Sequence, residues 1–190
     1  MKKDQIIQAA RNLFSKYGFK KVSMDEIAKV AGVTKKTIYT HFSNKEDLLK
    51  YFIQEELQNM KCIIEEVEHK NVDFFETVNE AIYKLLQYRK ERDFLKIISD
   101  EAEWLKSPVI IQNLQLIDEK IQDYIKEKLE NAKEKGYIYY DDIDITTFLV
   151  YKMYIALIIE WNNKSKQLDE HMIAKNISNI LKNGLRKEVG

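Results

Sequence analysis

Residues 23–49 read SMDEIAKVAGVTKKTIYTHFSNKEDLL, and this stretch marks three helix boundaries, each with its own chemistry. Ser23-Met24-Asp25-Glu26 is a capping box: the serine hydroxyl accepts an orphan backbone N–H while Glu26 reaches back. Ile27, Ala28 and Ala31 give a short apolar face, and Gly32 supplies the permissive φ of a tight turn. Thr34 caps the next helix, which runs about two turns with Ile38 and Phe42 facing inward. Ser43-Asn44-Lys45-Glu46 reads as a second capping box, opening a further helix. Two short helices joined by a glycine turn, the second carrying Lys35, Lys36, Thr37, Tyr39 and Thr40 outward, suit a reader of the DNA major groove.

The flanks extend the pattern. The run IIQAARNLFSKYGFKKVSMDEIAKVAGVTKKTIYTHFSNKEDLLKYFI has an amphipathic first helix, then a Tyr17-Gly18-Phe19 turn. The capped second helix, AGVTKKTIYTHF and NKEDLL follow in order. In letters and in order, residues 4–53 resemble the N-terminal domain of the TetR/AcrR family of bacterial transcriptional regulators. The resemblance implies an all-α fold of about nine helices. A three-helix helix-turn-helix DNA-binding domain over 1–48 would precede a helical effector-binding and dimerisation domain over 49–190. It also implies a cytoplasmic homodimer on a palindromic, double-stranded DNA operator, a repressor released by a small-molecule effector. The family often has a large side chain where Thr40 stands and a small one where Lys36 stands. Those departures leave DNA binding in place and the operator sequence open.

Composition agrees with a helical, cytoplasmic chain. One proline and five glycines leave little punctuation in 190 residues. The single cysteine, Cys62, excludes an intrachain disulfide and suits a reducing compartment. The polar N-terminus enters a helix directly and reads as no signal peptide. No apolar run approaches the about 18 residues of a membrane span. The formal net charge of +0 hides an asymmetry. Residues 1–50 hold eleven Lys/Arg against five Asp/Glu, and residues 51–190 hold twenty against twenty-six. A basic amino-terminal end on an acidic remainder is expected where that end meets phosphates.

Helical periodicity continues beyond the motif. Ile6, Ala9, Ala10, Leu13, Phe14 and Tyr17 stripe the first helix. Leu49, Phe52, Ile53, Leu57, Met60, Ile64 and Val67 stripe a fourth over residues 44–68, roughly 35 Å long. A fifth is expected over 72–88 and a short sixth over 94–104. Ser107-Pro108 restarts the chain, with proline at the first helical position, and Gly136 stops this seventh helix. Tyr137-Ile138-Tyr139-Tyr140 reads as a loop packed by aromatics, because it lacks a partner strand. Between residues 145 and 161 the pattern changes: residues 148–159 are apolar on essentially every side, broken only by Lys152, and such a helix must be covered all round. A second copy of the chain is the cover expected. The last helix, near 169–186, adds a narrower stripe. The expected dimer interface is therefore Phe148, Tyr151, Ile155, Ile159, Ile173, Ile177, Ile180 and Leu181, a four-helix contact as the family resemblance also implies.

Roles within the reading head follow from side-chain chemistry. Lys35 and Lys36 reach guanine edges or phosphates. Thr37 and Thr40 offer hydroxyls and a methyl, and Tyr39 and His41 grip backbone phosphates. Lys45 forms a phosphate site with the opening N–H groups of the fourth helix. Ser23 and Thr34 complete the DNA-binding set, the serine either capping or touching a phosphate. By resemblance, the fourth to eighth helices enclose an effector, with Phe74, Tyr83, Phe94, Trp104, Tyr151, Tyr154 and Trp161 as candidate liners.

Two other readings are weighed. Glu66-x-x-His69 has the i, i+3 spacing of a carboxylate-bridged di-metal bundle, but that architecture needs two such motifs. There is also no glycine-rich phosphate loop, Cys/His cluster or nucleophile elbow, so no enzyme, cofactor or metal is expected. A related scaffold that has exchanged its operator for a protein partner is the other alternative, and the basic face of Lys35, Lys36, Tyr39 and Lys45 argues against it.

Overall fold

Eight helices form the described part of a computed structural model, which covers residues 1–70, 73–90, 108–157 and 169–185. They are α1 (Lys2–Tyr17), α2 (Met24–Val30), α3 (Lys35–His41), α4 (Lys45–Glu68), α5 (Phe74–Lys90), α6 (Pro108–Glu134), α7 (Ile143–Ile155) and α8 (Glu170–Leu185). The fold is all-α. The expected short helix over 94–104 lies outside the described residues, as does the Ser107 cap.

The boundaries are where their chemistry puts them. Ser23 Oγ accepts from the Glu26 N–H while the Glu26 carboxylate accepts from the Ser23 N–H, so the first capping box is complete. Asp142 Oδ1 likewise accepts from the Ile145 N–H to open α7. At the end of α2 the Val33 N–H bonds to Ala28 O at 3.0 Å and the Gly32 N–H to Lys29 O at 3.3 Å. This crossed pair needs a left-handed residue, and Gly32 has φ 66 with open space where a Cβ would sit. Gly136 repeats the device after α6, with φ 75 and the Tyr137 N–H on Ala132 O at 3.0 Å.

The cap of α4 differs from the expected box by one residue. Asn44 Oδ1, not Ser43, accepts from the Asp47 N–H at 2.8 Å, and Asp47 returns the bond to the Ser43 N–H at 3.0 Å. Asparagine and serine are about equal as caps, and both acidic residues fall in the first turn, so sequence spacing fits either register.

The chain divides into two compact units. One comprises residues 1–58 and 91–117. Its core is Ile6, Ala10, Phe14, Ile27, Ile38, Leu48, Leu49 and Phe52, all fully buried. Phe14 meets Phe52 edge-on with ring centres 6.0 Å apart. The other unit comprises 59–90 and 118–190, so α4 and α6 supply residues to both. Here α5 packs along α8, with Leu86 against Ile173, Ala174, Ile177 and Leu181. Ser178 Oγ donates to Phe75 O at 3.1 Å inside this contact. Ile138, in the aromatic loop, is 2% exposed and packs with Phe75, Leu129 and Ala132. Its neighbour Tyr139 donates its N–H to Leu185 O at 2.7 Å, and no strand forms among the described residues.

The all-round apolar helix is covered on one side. Thr147 and Tyr151 of α7 are buried, whereas Ile145, Phe148 and Leu149 are 62%, 50% and 59% exposed. Among the described residues no helix is long and apolar enough to cross a membrane.

Candidate functional site

Helix α3 is held to the core by one side chain. Of the seven residues of α3, Ile38 alone is buried, at 0% exposure. Lys35, Lys36, Tyr39, Thr40 and His41 are exposed, and Thr37 is half-buried. Thr34 Oγ1 accepts from the Thr37 N–H at 3.1 Å, which fixes the helix start. The structure thus brings Lys35, Lys36, Tyr39, Thr40 and His41 together on one short solvent-facing helix. Thr40 Oγ1 donates to Lys36 O at 2.9 Å.

Three candidates are engaged within the protein. Ser23 is fully employed in its capping box, its Oγ also donating to Glu26 Oε2 at 2.7 Å. Those two Ser23 bonds and the nearby Lys45 charge hold the Glu26 carboxyl below its ordinary range. Lys35 Nζ lies 2.9 Å from Asp25 Oδ2, and this hydrogen bond and charge raise the Lys35 ammonium above its ordinary value. Lys45 Nζ donates to Phe19 O, Lys20 O and Val22 O at 2.7, 3.2 and 2.8 Å. It thereby binds the α1–α2 loop to the head of α4, over the Phe19 ring at 4.5 Å.

Within the same unit, Arg11 of α1 donates to Glu55 and Glu56 of α4 at 2.6 and 3.1 Å. Glu56 is 1% exposed, so this is a buried carboxylate held by a guanidinium. The signal for it was a charged residue at a stripe position: Glu56 follows Ile53 by three and precedes Met60 by four.

The candidate effector residues divide. Phe94, Trp104 and Trp161 lie outside the described residues, as does Ile159 of the expected interface. Phe74 stacks on Tyr137 with ring centres 5.7 Å apart, beside the Phe75–Ile138 cluster. Tyr83 stacks on His171 at 3.7 Å and accepts from Gln87 at 2.6 Å. Tyr151 and Tyr154 share a face of α7 with Thr147. The Tyr151 hydroxyl donates to Asp118 Oδ1 of α6, while the Tyr154 hydroxyl is buried without a hydrogen-bond partner. Burial and Asp118 push the Tyr151 phenol well above its ordinary value, and burial pushes Tyr154 up to about 12. Arg89 of α5 stands near both hydroxyls, opposing each rise.

Four residues of the expected interface face the chain's own core: Tyr151, Ile173, Ile177 and Leu181 are 2%, 5%, 1% and 9% exposed. They support the apolar surface from behind, because α5 already occupies the inner side of α8. Phe148 and Ile180 are exposed, Ile155 is half-buried, and Ile145, Leu149 and Met172 join the exposed set.

Known proteins repeat this plan. Residues 6–52 match the family model described as bacterial regulatory proteins, tetR family. Over 174 residues the chain is 35% identical to YhgD of Bacillus subtilis (strain 168), an HTH-type transcriptional regulator, covering 91% of each chain. It is 27% identical to the HTH-type transcriptional regulator UidR of Escherichia coli K12, over 80% of this chain and 76% of that one. The solved structure of the fatty acid degradation regulator FadR from Bacillus halodurans superposes with a TM-score of 0.72 at 25% identity, covering 98% and 97% of the two chains. With its helix order, its capped third helix and its similarity to YhgD over most of both chains, the chain belongs to the TetR family of transcriptional regulators.

Proposed function

We propose that this regulator is a homodimeric repressor that reads a palindromic operator and leaves it when a small molecule occupies its helical body. Residues 1–48 serve as the reading head and 49–190 as the effector and dimerisation part. The observation that carries the reading is α3: one anchoring isoleucine, and an outward face made almost wholly of DNA-compatible side chains. Lys35, Lys36, Thr37, Tyr39, Thr40 and His41 supply base-edge and phosphate contacts. Thr34 caps that helix, while Ser23 and Lys45 hold the loops around it and flank the phosphates.

A two-turn helix touches few base edges, so selectivity needs two heads about 34–36 Å apart on one duplex face. The exposed set Ile145, Phe148, Leu149, Met172 and Ile180 is the surface assigned to pairing the two copies. An effector then acts through α4, which contributes to both units of the fold. A preference for one arrangement of about 1–3 kcal/mol would change operator affinity 5–150-fold.

The test is promoter retention by gel shift, with fragments selected from a random duplex pool. Lys35→Ala combined with Tyr39→Ala is expected to abolish retention and leave the dimer mass unchanged. With about three phosphates engaged per half, log K should fall with log salt at a slope near −5. A flat salt response would move the function to a protein partner, and retention by the double variant would move the contact surface elsewhere.

A further inference from the structure

Lys45 stands at the head of α4, a place that suits a phosphate contact, but its bonds run elsewhere. Its ammonium donates to Phe19 O, Lys20 O and Val22 O at 2.7, 3.2 and 2.8 Å. An ammonium has three donors, so the α1–α2 loop takes all of them. The loop is anchored at both ends as well. Phe19 and Val22 are 5% and 3% exposed, and the Phe19 ring packs on Phe14 with centres 5.3 Å apart. At its far end the Ser23 N–H donates to Glu26.

Between these anchors the loop displays Lys20 and Lys21, both exposed. Among the described residues Lys21 makes no hydrogen bond, ion pair or ring contact. The carboxylates that follow it are engaged, Glu26 with Ser23 and Asp25 with Lys35. The second of these pairs locates the loop beside α3, because Asp25 Oδ2 lies 2.9 Å from Lys35 Nζ. Lys21 precedes Asp25 by four residues, a reach of at most about 14 Å. The major groove is about 12 Å wide, and phosphates form its walls. A cation carried within that reach of a helix lying in the groove meets the wall rather than the base edges.

We infer that Lys21 grips a backbone phosphate of the operator, and that Lys45 is the positioning residue that presents it, a claim that rests on the operator reading above. Lys45 acts through the loop carbonyls and makes no phosphate contact of its own. A loop fixed before DNA arrives has less freedom left to lose on binding. Lys21 thereby extends the basic surface of α3 onto the α1–α2 side of the head.

Gel shift is run with the full-length protein and the duplex that the parent selects, at salt from about 50 to 200 mM. Lys21→Gln removes one phosphate contact from each head of a dimer, so the slope of log K against log salt should become shallower by about 1.8. The affinity gap from the parent then narrows about 12-fold across that salt range. Lys45→Met should lose the same slope, and the double variant no more than either single one, because both act through one contact. Lys45→Arg separates the two roles of Lys45. A guanidinium would keep a direct phosphate bond, but its planar fork does not fill a cradle of three carbonyls, so this variant too should lose slope. Lys21 is exposed and its side chain lies outside the cradle. Lys21→Gln therefore folds as the parent does and carries the test even where a Lys45 variant is unstable. A parental slope in Lys21→Gln would make Lys21 a solvated surface lysine and overturn the inference. A parental slope in Lys45→Arg, or a double variant whose loss is the sum of the two, would overturn it as well. Each of these outcomes leaves the operator reading standing. A parent that retains no duplex defeats that reading, and this inference with it.

Discussion

Arg11 holds Glu56, a carboxylate 1% exposed, at 3.1 Å, and takes Glu55 with its other nitrogen at 2.6 Å. The pair joins α1 to α4 inside the unit that carries α3, and the guanidinium also lies 4.8 Å over the Phe52 ring. Removing one partner of a buried ion pair costs more than the pair contributes, because a charge is left in a dry place. Arg11→Ala should therefore destabilise the protein by about 3 kcal/mol. Arg11→Lys, which keeps charge but loses the fork, should recover only part of it. Urea denaturation checks this: Glu56→Gln combined with Arg11→Ala should be less damaging than Arg11→Ala alone.

Lys35 is tied to Asp25 at 2.9 Å, yet it is also the first cation of α3, the helix proposed to read the operator. Both side chains are exposed, so the pair itself contributes little to stability. Under the proposed operator reading its effect is on binding, because a guanine edge or phosphate must compete with Asp25 for the ammonium. Asp25→Asn is expected to tighten operator binding about 3–10-fold at low salt, with the gain shrinking toward physiological ionic strength. Weakened retention in this variant would place Asp25 among the groups that accept from DNA bases.

How much of this was legible depended on locality. Ser23 with Glu26, Thr34 and Gly32 announce themselves because cap and turn chemistry is settled within four residues. The all-α class and the capped α2–turn–α3 pair follow from that grammar. Long-range pairing is different: nothing near Arg11 in sequence points to a residue forty-five positions on. The available clue is a charge occupying an apolar stripe. Arg89 sits seven residues after Ile82, and Asp118 lies between Leu114 and Ile121 at stripe spacing. Such residues must meet a partner from another helix or a ligand. The expected interface failed to separate front from back for a similar reason. Ile173 and Ile180 belong to one apolar pattern, and only the placement of α5 decides that the first is covered while the second is 57% exposed.

The Tyr151–Asp118 bond carries a pH signature. The folded phenol is raised by burial and then by Asp118, while the unfolded one titrates near its ordinary value of 10. The folded state thus binds more protons above that pH, and stability is full below about pH 10 and falls as pH rises further. Each such tyrosine steepens the fall by up to about 1.4 kcal/mol per pH unit. Tyr151→Phe should flatten the alkaline limb by one proton while costing about 1–2 kcal/mol at neutral pH, where it strips Asp118 of its donor. Urea midpoints between pH 8 and 11.5 report both effects, and an unchanged alkaline slope in Tyr151→Phe would contradict this account.

Ile145, Phe148 and Leu149 leave about half of each side chain in water, which is worth about 1 kcal/mol apiece when buried. Two copies of that trio yield about 6 kcal/mol, near the bottom of the about 4–15 kcal/mol that association costs. Met172 and Ile180, 56% and 57% exposed, bring the sum to about 10 kcal/mol, so pairing through this face needs both α7 and α8. Phe148→Glu with Leu149→Glu should therefore yield a monomer by light scattering at micromolar concentration. Both positions point away from the core, so helicity and unfolding midpoint should stay within about 0.5 kcal/mol of the parent. Operator affinity should fall at least about 100-fold, since the second head would no longer be delivered at high effective concentration. A dimer that survives both glutamates would place the contact on another surface and release α7 for some other partner.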